Sequence, residues 1–503
     1  MPRSFPKADI QISPAIAAER RVASGEALLR RGRHKAALAV ADAVLADAPE
    51  NASAWLLRGT VCKTLHRFPE AAAAFRSVLA AFPDFIQMYI NLANAYVELG
   101  DLAEAEVQLR EAVARNPDSA TAHASLGSLY MRMELYDLAE EPTRRALSIE
   151  PDIIIAHQNL AAILASRGDP EANTHRDAAY RRQQIFMEPS PGAERSVLIL
   201  TNSGNGNVPY HHLLARKRYN RIVWHLAYAP PGQEQSLPPH DLVFNAVADP
   251  DSAAEAHKAA GSFVTVCRRP FLNRPDRIAR TLRSEMPAML GPLENVTVPD
   301  TCRFSRGDGD PKRAILSSGL RLPLILRPTG QHGGDGVRLV RSWEDLETQM
   351  PHCEAFYATE FVNYRSHDGW YRKYRAIFVD RKPYPYHLAI GARWLLHYKT
   401  ADMQADGARR SEEDAFLRNP AAALSERAME ALRRIGERLD LDYAGMDFSL
   451  LPDGRILFFE ANAAMLVHPE PDPLFAYKNG AVDAIIGAMD DMIDRRLSDP
   501  GRD

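Results

Sequence analysis

Two stretches near the C-terminus carry the residues best suited to chemistry. Pro452-Asp453-Gly454 is a turn signal between two alternating runs, YAGMDFSLL before it and RILFFEAN after it. Pairing Leu451 with Ile456 across a four-residue loop sets Asp447 opposite Glu460 and Ser449 opposite Phe458. Side-chain alternation then puts Asn462 on the face of Glu460. Two opposed carboxylates repel unless a cation lies between them, so removing one charge should relieve strain in the empty pair. With an amide oxygen beside them they suit Mg2+, a hard ion that keeps waters and completes its shell with phosphate oxygens. Phosphate contacts have further candidates. In PLILRPTGQHGGDGVRLV an apolar strand ends at Arg327, and Gly330, Gly333, Gly334 and Gly336 form a loop whose amides can approach phosphates closely. In GWYRKYRAIFVD, Lys373 and Arg375 share one face of a strand while Arg372 points away.

Such side chains need sheets to hold them. From Arg195 the runs SVLILT, RIVWHLAY, DLVFNAV and SFVTVC read as apolar strands, separated by turn-rich or helical stretches such as DSAAEAHKAAG. That alternation predicts a mostly parallel α/β sheet covered on both faces. GNGN at 204–207 lacks the third glycine and downstream acid of a dinucleotide fingerprint and the lysine of a P-loop, so it reads as a turn. Further on, FYATEFV, RAIFVD and YPYHLAI are strands, the last two flanking an Arg-Lys turn. His332, His387 and His397 are available for proton transfer, although loop or packing roles account for each.

The N-terminal third is repetitive. Proline recurs at Pro49, Pro83, Pro117 and Pro151, and alanine at Ala37, Ala71, Ala105 and Ala139. Leu28, Cys62, Tyr96 and Tyr130 share the period, as do Gly25, Gly59, Ala93 and Gly127, and the second unit has Trp55 and Phe75 as large knobs. Helical hairpins explain this: small residues lie where two helices cross, large ones fill the gaps, and proline ends the second helix. The pattern resembles the tetratricopeptide repeat family over about residues 17–185, an all-α solenoid. A fifth unit keeps Leu160, Ala161 and Leu164 but has Asn173 in place of alanine, with a polar second half expected to cap the array. The resemblance implies a concave face that binds a peptide or protein, with Asn91, Asn94, Ser125, Ser128, Arg132, Gln158 and Asn159 as its side chains.

Composition bounds the rest. The 503 residues suggest roughly three domains. With 46% hydrophobic and 25% charged residues the chain is ordinary globular material. Lys+Arg 61 against Asp+Glu 65, a net charge of -4, gives no global pull toward nucleic acid. No apolar stretch of about 18 residues predicts a membrane span. Cys62, Cys267, Cys302 and Cys353 form no CxxC pair, which fits a reducing, cytoplasmic setting.

Taken in order, the glycine loop, the Arg-Lys-rich strand and the acid–amide hairpin resemble the ATP-grasp superfamily, in particular its glutathione-synthetase-like branch, over about residues 195–495. The resemblance implies an α/β pre-ATP-grasp substrate domain at 195–295 and an α+β ATP-grasp domain at 296–495, entered by the linker strand VTVPDTCRF. It implies that Arg327 stands at the phosphate-binding position, usually a lysine, and that Gly333 and Gly334 belong to the loop over the nucleotide. By the same resemblance the backbone of Glu360, Phe361 and Val362 reads adenine, Arg375 with Lys373 steadies the transferred phosphoryl group, and Asp447, Glu460 and Asn462 bind magnesium. Asp368 lies near the usual ribose-binding acid. The implied activity is an ATP- and Mg2+-dependent ligase that joins a carboxylate to an amine through an acyl phosphate, and homo-oligomers are common in that branch. The alternatives are a non-enzymatic adaptor with a degenerate nucleotide module, or a phosphotransferase that stops at phosphorylation.

Overall fold

The computed structural model describes residues 14–498, apart from 191, 205, 215–217, 252, 306, 308, 331–333, 335, 351–352, 399–400 and 402. The chain divides into two compact units between Gln183 and Gln184.

In the first unit, small residues at fixed intervals let helices cross closely, and five hairpins result among the described residues. They are α1 (Pro14–Arg30) with α2 (His34–Asp47), α3 (Ala52–Thr64) with α4 (Phe68–Ala81), and α5 (Ile86–Leu99) with α6 (Leu102–Arg115). The last two are α7 (Ala120–Arg132) with α8 (Tyr136–Ile149), and α9 (Ile154–Ser166) with α10 (Glu171–Arg182). Ala37, Ala71, Ala105 and Ala139 are completely buried. A Cβ at Gly59 would lie 2.6 Å from the Phe75 ring, and one at Gly127 2.4 Å from Thr143 Oγ1. Pro49, Pro83, Pro117 and Pro151 each follow the end of a second helix, where a missing amide and fixed φ do no harm. A further register carries Trp55, Tyr89, His123 and His157. In it Trp55 Nε1 donates to Pro49 O at 2.7 Å, while His123 and His157 Nε2 lie 2.9 and 2.8 Å from Pro117 O and Pro151 O. In the fifth hairpin the buried alanines of α10 are Ala172 and Ala179, and Asn173 is exposed. Of the amides expected to face a peptide, Asn159 is buried and donates to Ser128 Oγ at 2.9 Å, so that pair holds neighbouring repeats together.

Among the described residues the second unit contains three sheets. In the first, β1 (Ile185–Glu188), β2 (Arg195–Thr201), β3 (Tyr219–His225), β4 (Leu242–Asn245) and β5 (Phe271–Leu272) lie in the order β1-β3-β2-β4-β5. All neighbours are parallel except β1 with β3. SFVTVC is not a strand. It completes the helix Ala254–Val266, because Ala256, Ala260 and Phe263 form a single buried stripe that outweighs the β-branched residues after it. In the GNGN turn, Asn207 Nδ2 donates to Asn202 O and Gly204 O, so the side chain closes the loop on itself.

VTVPDTCRF is two strands rather than one, β6 (Val296–Thr297) and β7 (Thr301–Ser305), interrupted around Pro299 and belonging to different sheets. The second sheet is antiparallel and joins β7 to β8 (Leu324–Pro328), β9 (Arg338–Val340) and β10 (Ala355–Glu360), in the order β7-β10-β8-β9. The third contains β11 (Tyr371–Val379), β12 (Lys382–Gly391), β13 (Tyr443–Leu450) and β14 (Ile456–Asn462), in the order β12-β11-β13-β14-β6. The β11–β12 turn is centred on Asp380-Arg381, one residue before the expected Arg-Lys pair. Both residues have positive φ, 49° and 68°, as a tight hairpin matching strand twist requires. Asn273, directly after β5, ties the first sheet to the third. Its Nδ2 donates to Tyr443 O at 3.0 Å and its Oδ1 accepts from Tyr443 N at 2.8 Å.

Candidate active site

Asp447 faces Glu460, though not by simple alternation. Leu450 pairs with Ile456, and Leu451–Arg455 forms the loop, with Leu451 N donating to Arg455 O at 2.9 Å. Ser449 therefore sits opposite Leu457 rather than Phe458. Phe448 pairs with Phe458 and Asp447 with Glu460, leaving Phe459 as an extra residue in a bulge that restores the acid pair. The row continues through β11 and β12: His387, Arg375, Asp447 and Glu460 are successive cross-strand partners.

The two acids are not left to repel each other. Arg375 donates to Asp447 through Nε at 2.6 Å and a terminal nitrogen at 2.9 Å, and Lys373 Nζ lies 3.0 Å from Asp447 Oδ2. Arg327 donates to Glu460 Oε2 at 2.9 Å, and Arg283 ion-pairs with the same oxygen. Burial pushes both carboxyls up, but Arg375 and Lys373 hold Asp447, and Arg283 and Arg327 hold Glu460, well below the usual carboxylate range. For Arg327, burial and the neighbouring Arg283 outweigh Glu460 and lower its pKa. Four cations thus meet two ionised acids. The expectation of strain between the acids is corrected, because protein cations already occupy the space between them and the rest of the cleft.

This group forms the charged floor of a cleft. Arg327, Gly334, Glu360, Phe361, Val362, Lys373, Arg375, Asp447 and Glu460 all line it, so the structure brings together most of the residues singled out by sequence. Its other end is apolar, with Val298, Ile325, Trp394, Leu396, Phe458 and Phe459. Phe361 and Trp394 meet edge to face at 5.5 Å. The amides of Glu360 and Phe361 are engaged, donating to Asp300 O at 3.0 Å and Pro323 O at 2.9 Å, so neither is open to a ligand. Gly334 has φ 84°, and a Cβ there would lie 2.0 Å from His397 Nε2, so the glycine allows the loop to pack on that ring. Gly333 and His332 lie outside the described residues.

Two expectations change, those for Asn462 and Asp368, while His387 keeps the packing role that accounts for it. Asn462 Oδ1 accepts from Ala464 N at 2.9 Å, and the residue lines a neighbouring cavity instead of the cleft. Its oxygen is drawn off by the backbone turn that ends β14. Asp368 ion-pairs with Arg372 at 2.7 Å, and Arg372 also reaches Glu412; this is the opposite face of β11 from Lys373 and Arg375. The hydrogen bonds from Arg372 pull the Asp368 carboxyl down to about 2. His387 is buried, and desolvation, reinforced by Arg375, keeps it neutral. Sequence reasoning passed over Arg283, which stands 177 positions from its partner Glu460 in an unremarkable segment, and Trp394, which no motif marks.

Among the described residues no group of three or more His, Cys, Asp or Glu side chains is arranged to hold a metal ion. Asp447 and Glu460 are nonetheless ionised hard donors, the kind magnesium takes, and Glu460 Oε1 is not engaged by the two arginines on Oε2. The donor chemistry fits magnesium if phosphate oxygens take over the cations now on the acids.

Comparison with known proteins bears on the first unit. Tetratricopeptide-repeat models match residues 22–84 and 64–129. Among solved structures, MamA from Desulfovibrio magneticus RS-1 is 22% identical over 33% of this chain and 96% of its own, with a TM-score of 0.30. A thermophilic tetratricopeptide-repeat protein of Thermus thermophilus is 25% identical over 33% of this chain and 91% of its own, with a TM-score of 0.29. YrrB, described as a tetratricopeptide-repeat protein with an unusual peptide-binding site, is 21% identical over 34% of this chain and 93% of its own, with a TM-score of 0.29. No curated protein matches the chain. No helix among the described residues is long and apolar enough to cross a membrane. The helical hairpins over residues 22–129 match tetratricopeptide repeats, a protein-interaction repeat.

Proposed function

We propose that the second unit is an ATP-grasp ligase that joins a carboxylate to an amine, and that the repeats recruit a peptide or protein substrate to it. The observation that carries this reading is one cleft with an apolar, aromatic end and a floor where four cations surround two opposed, ionised carboxylates. The apolar end suits a purine, which would find the carbonyl edge of Glu360–Val362 and the Val362 amide, since the two amides before it are engaged. The floor suits a triphosphate. Magnesium, bound at Asp447 and Glu460 with Asn462 beside them, would neutralise phosphate charge.

In the proposed reaction a carboxylate oxygen attacks the γ-phosphorus, the β–γ P–O bond breaks, and ADP leaves. The amine nitrogen then attacks the acyl carbon, the C–O bond to phosphate breaks, and phosphate departs as the amine loses a proton. Arg327, at the end of β8, would hold the phosphates bidentately where a lysine is usual. Lys373 and Arg375 would stabilise charge on the phosphoryl group in flight. The aromatic walls would keep water from the acyl phosphate.

The test is ADP release that requires Mg2+, a carboxylate and an amine together. Glu460→Gln and Lys373→Met should each lower it by on the order of three decades. Unimpaired turnover in either variant would remove the assignment. One observation favours a second reading, the non-enzymatic nucleotide-binding adaptor: both Asp447 oxygens and Glu460 Oε2 are engaged by protein cations and Asn462 by the backbone. That reading expects nucleotide binding with no ADP release under any substrate pairing, whereas a phosphotransferase would release ADP without an amine.

A further inference from the structure

The fifth hairpin of the first unit is closed by a histidine pair. His157 Nδ1 of α9 lies 2.9 Å from His175 Nδ1 of α10, with the ring centroids 5.1 Å apart. His157 is buried, and the His175 side chain is 14% exposed. We propose that the pair is an acid-sensitive latch: α10 stays docked on α9 while the two rings hold at most one extra proton between them, and comes away when both are charged.

The hydrogen bonds fix where protons can go. Pro151 O can only accept, so His157 Nε2, 2.8 Å away, carries a hydrogen and Nδ1 of the neutral ring is a bare acceptor. The hydrogen between the rings therefore belongs to His175 Nδ1. That leaves His175 Nε2 bare, 3.6 Å from Glu171 Oε1, where a first extra proton faces a carboxylate and leaves the pair intact. A second proton has only His157 Nδ1 left. It sets two N–H donors and two positive rings against each other in a place with little water to screen them. Nearby charges do not offset this. Glu171 lies on α10 itself, α9 carries no charged residue besides His157, and α8 presents Arg144, a cation already held by Glu140. The helix α7, also packed on α9, carries His123 at Pro117 O, Tyr130 at Glu106, and Arg132. Burial, then the charge of a protonated His157, lowers the His175 pKa. The docked pair thus takes protons less readily than the free rings, so docking is fully supported above about pH 6.5 and weakens as pH falls below it.

Little else holds α10. Its buried residues are Ala172 and Ala179, and His175 falls between them on one stripe, three residues after the first and four before the second. Tyr180 adds a side-chain hydrogen bond with Gln158. Ala172 packs on Leu160 and Leu164 of α9, so undocking turns the closed end of the array into an apolar surface. The pair is not part of the repeat pattern. One period earlier His123 makes the same bond to a prolyl carbonyl, but its Nδ1 has no partner among the described residues and Glu141 stands in the place of His175.

Hydrogen exchange on the full chain, corrected for the intrinsic pH dependence of exchange, tests this from about pH 7.5 to about pH 5. In wild type the opening of α10 should rise by about tenfold per pH unit below about pH 6.5, the mark of one proton taken up on undocking, while α5 to α8 stay level. His175→Gln keeps a donor for His157 Nδ1, and its amide can turn to offer an oxygen once that nitrogen is protonated. In that variant α10 should remain docked with no such slope. Glu171→Gln leaves both rings in place but removes the carboxylate that favours the first proton, so undocking should begin at higher pH. That variant decides the matter if His175→Gln already undocks near neutrality. Level protection of α10 in wild type, a wild-type slope in a docked His175→Gln, or an onset in Glu171→Gln that stays put or moves to lower pH would each overturn the latch.

Discussion

An arginine–aspartate pair means different things in the two units. In the repeats, Arg145 reaches Asp118 with side chains 44% and 82% exposed. In the second unit, Arg375 grips an Asp447 that is 2% exposed. Water solvates the first pair whether or not it forms. For the second, no water replaces a missing partner, so the protein must supply every counter-charge. Repeats that contact only their neighbours can keep their charges outside and let small residues and knobs carry the packing. A cleft with a buried charged floor has to supply the counter-charges itself and hold them in a fixed place. The difference makes the two units respond differently to the same kind of substitution.

The largest effect expected is at the buried pair. Asp447→Asn removes the charge that Arg375 and Lys373 face, replaces one of their acceptor oxygens by an N–H donor, and leaves two cations beside a buried amide. Breaking a buried pair from one side costs about 3–5 kcal/mol. Denaturant unfolding followed by hydrogen exchange on β11 and β13 should show that loss in the second unit, with the repeats unchanged. A variant more stable than wild type would restore the idea of two acids in mutual repulsion.

Acid should have the next largest effect. The folded pKa values of Asp447 and Glu460 lie below their unfolded values, so the unfolded chain binds more protons as pH falls. The stability these groups contribute is complete above their unfolded pKa values of about 4 and is lost as pH drops from there toward the folded ones. Hydrogen exchange along a pH series should show β13 and β14 losing protection below about pH 4 more steeply than the interiors of α3 to α8. Equal slopes in the two units would break the contrast.

The same contrast governs what the sequence disclosed. Repeats are built from local contacts, so packing requirements recur in the sequence, and the spacing alone marks Ala37, Ala71, Ala105 and Ala139 as buried positions. The Trp55–His157 register shares that period but runs Trp, Tyr, His, His, which hid the hydrogen bond to a proline carbonyl that Trp55, His123 and His157 have in common. In the second unit, hairpins were legible because strands and turns are local too. The Asp447–Glu460 pairing was reached through an assumed four-residue loop. A longer loop and the Phe459 bulge cancel in register, and nothing in alternation predicts a bulge. Arg283 was invisible because its role depends on a contact across 177 positions. SFVTVC misled because β-branched composition was weighed above the alanine stripe that continues into it.

Packing defects in the repeats come third. A Cβ at Gly59 would meet the Phe75 ring at 2.6 and 2.8 Å, and Phe75 is itself completely buried. Gly59→Val should therefore destabilise the first hairpins by about 1–3 kcal/mol, as overpacking does. Thermal unfolding with exchange readout would place the loss in α3 and α4, and protection in the second unit should not change. A loss shared by β11 to β14 would show that the units do not respond separately.

The smallest effect is at the exposed Arg145–Asp118 pair of the repeats. Arg145→Ala removes the partner of an Asp118 that already faces water, so hydration replaces most of what the ion pair supplied. Holding two long side chains in one geometry costs entropy, and salt screens the attraction, which leaves such pairs worth well under about 1 kcal/mol. The substitution should hardly move the unfolding midpoint of the repeats, and what change there is should shrink as ionic strength rises. Arg375→Ala in the second unit should show the opposite: a large loss that persists in high salt, because Asp447 remains charged, desolvated and only partly compensated by Lys373. Measured side by side at low and high salt, the two variants isolate burial as the variable, since the paired chemical groups are the same. A salt-insensitive loss at Arg145 comparable to that at Arg375 would mean that exposure is not what separates the two units.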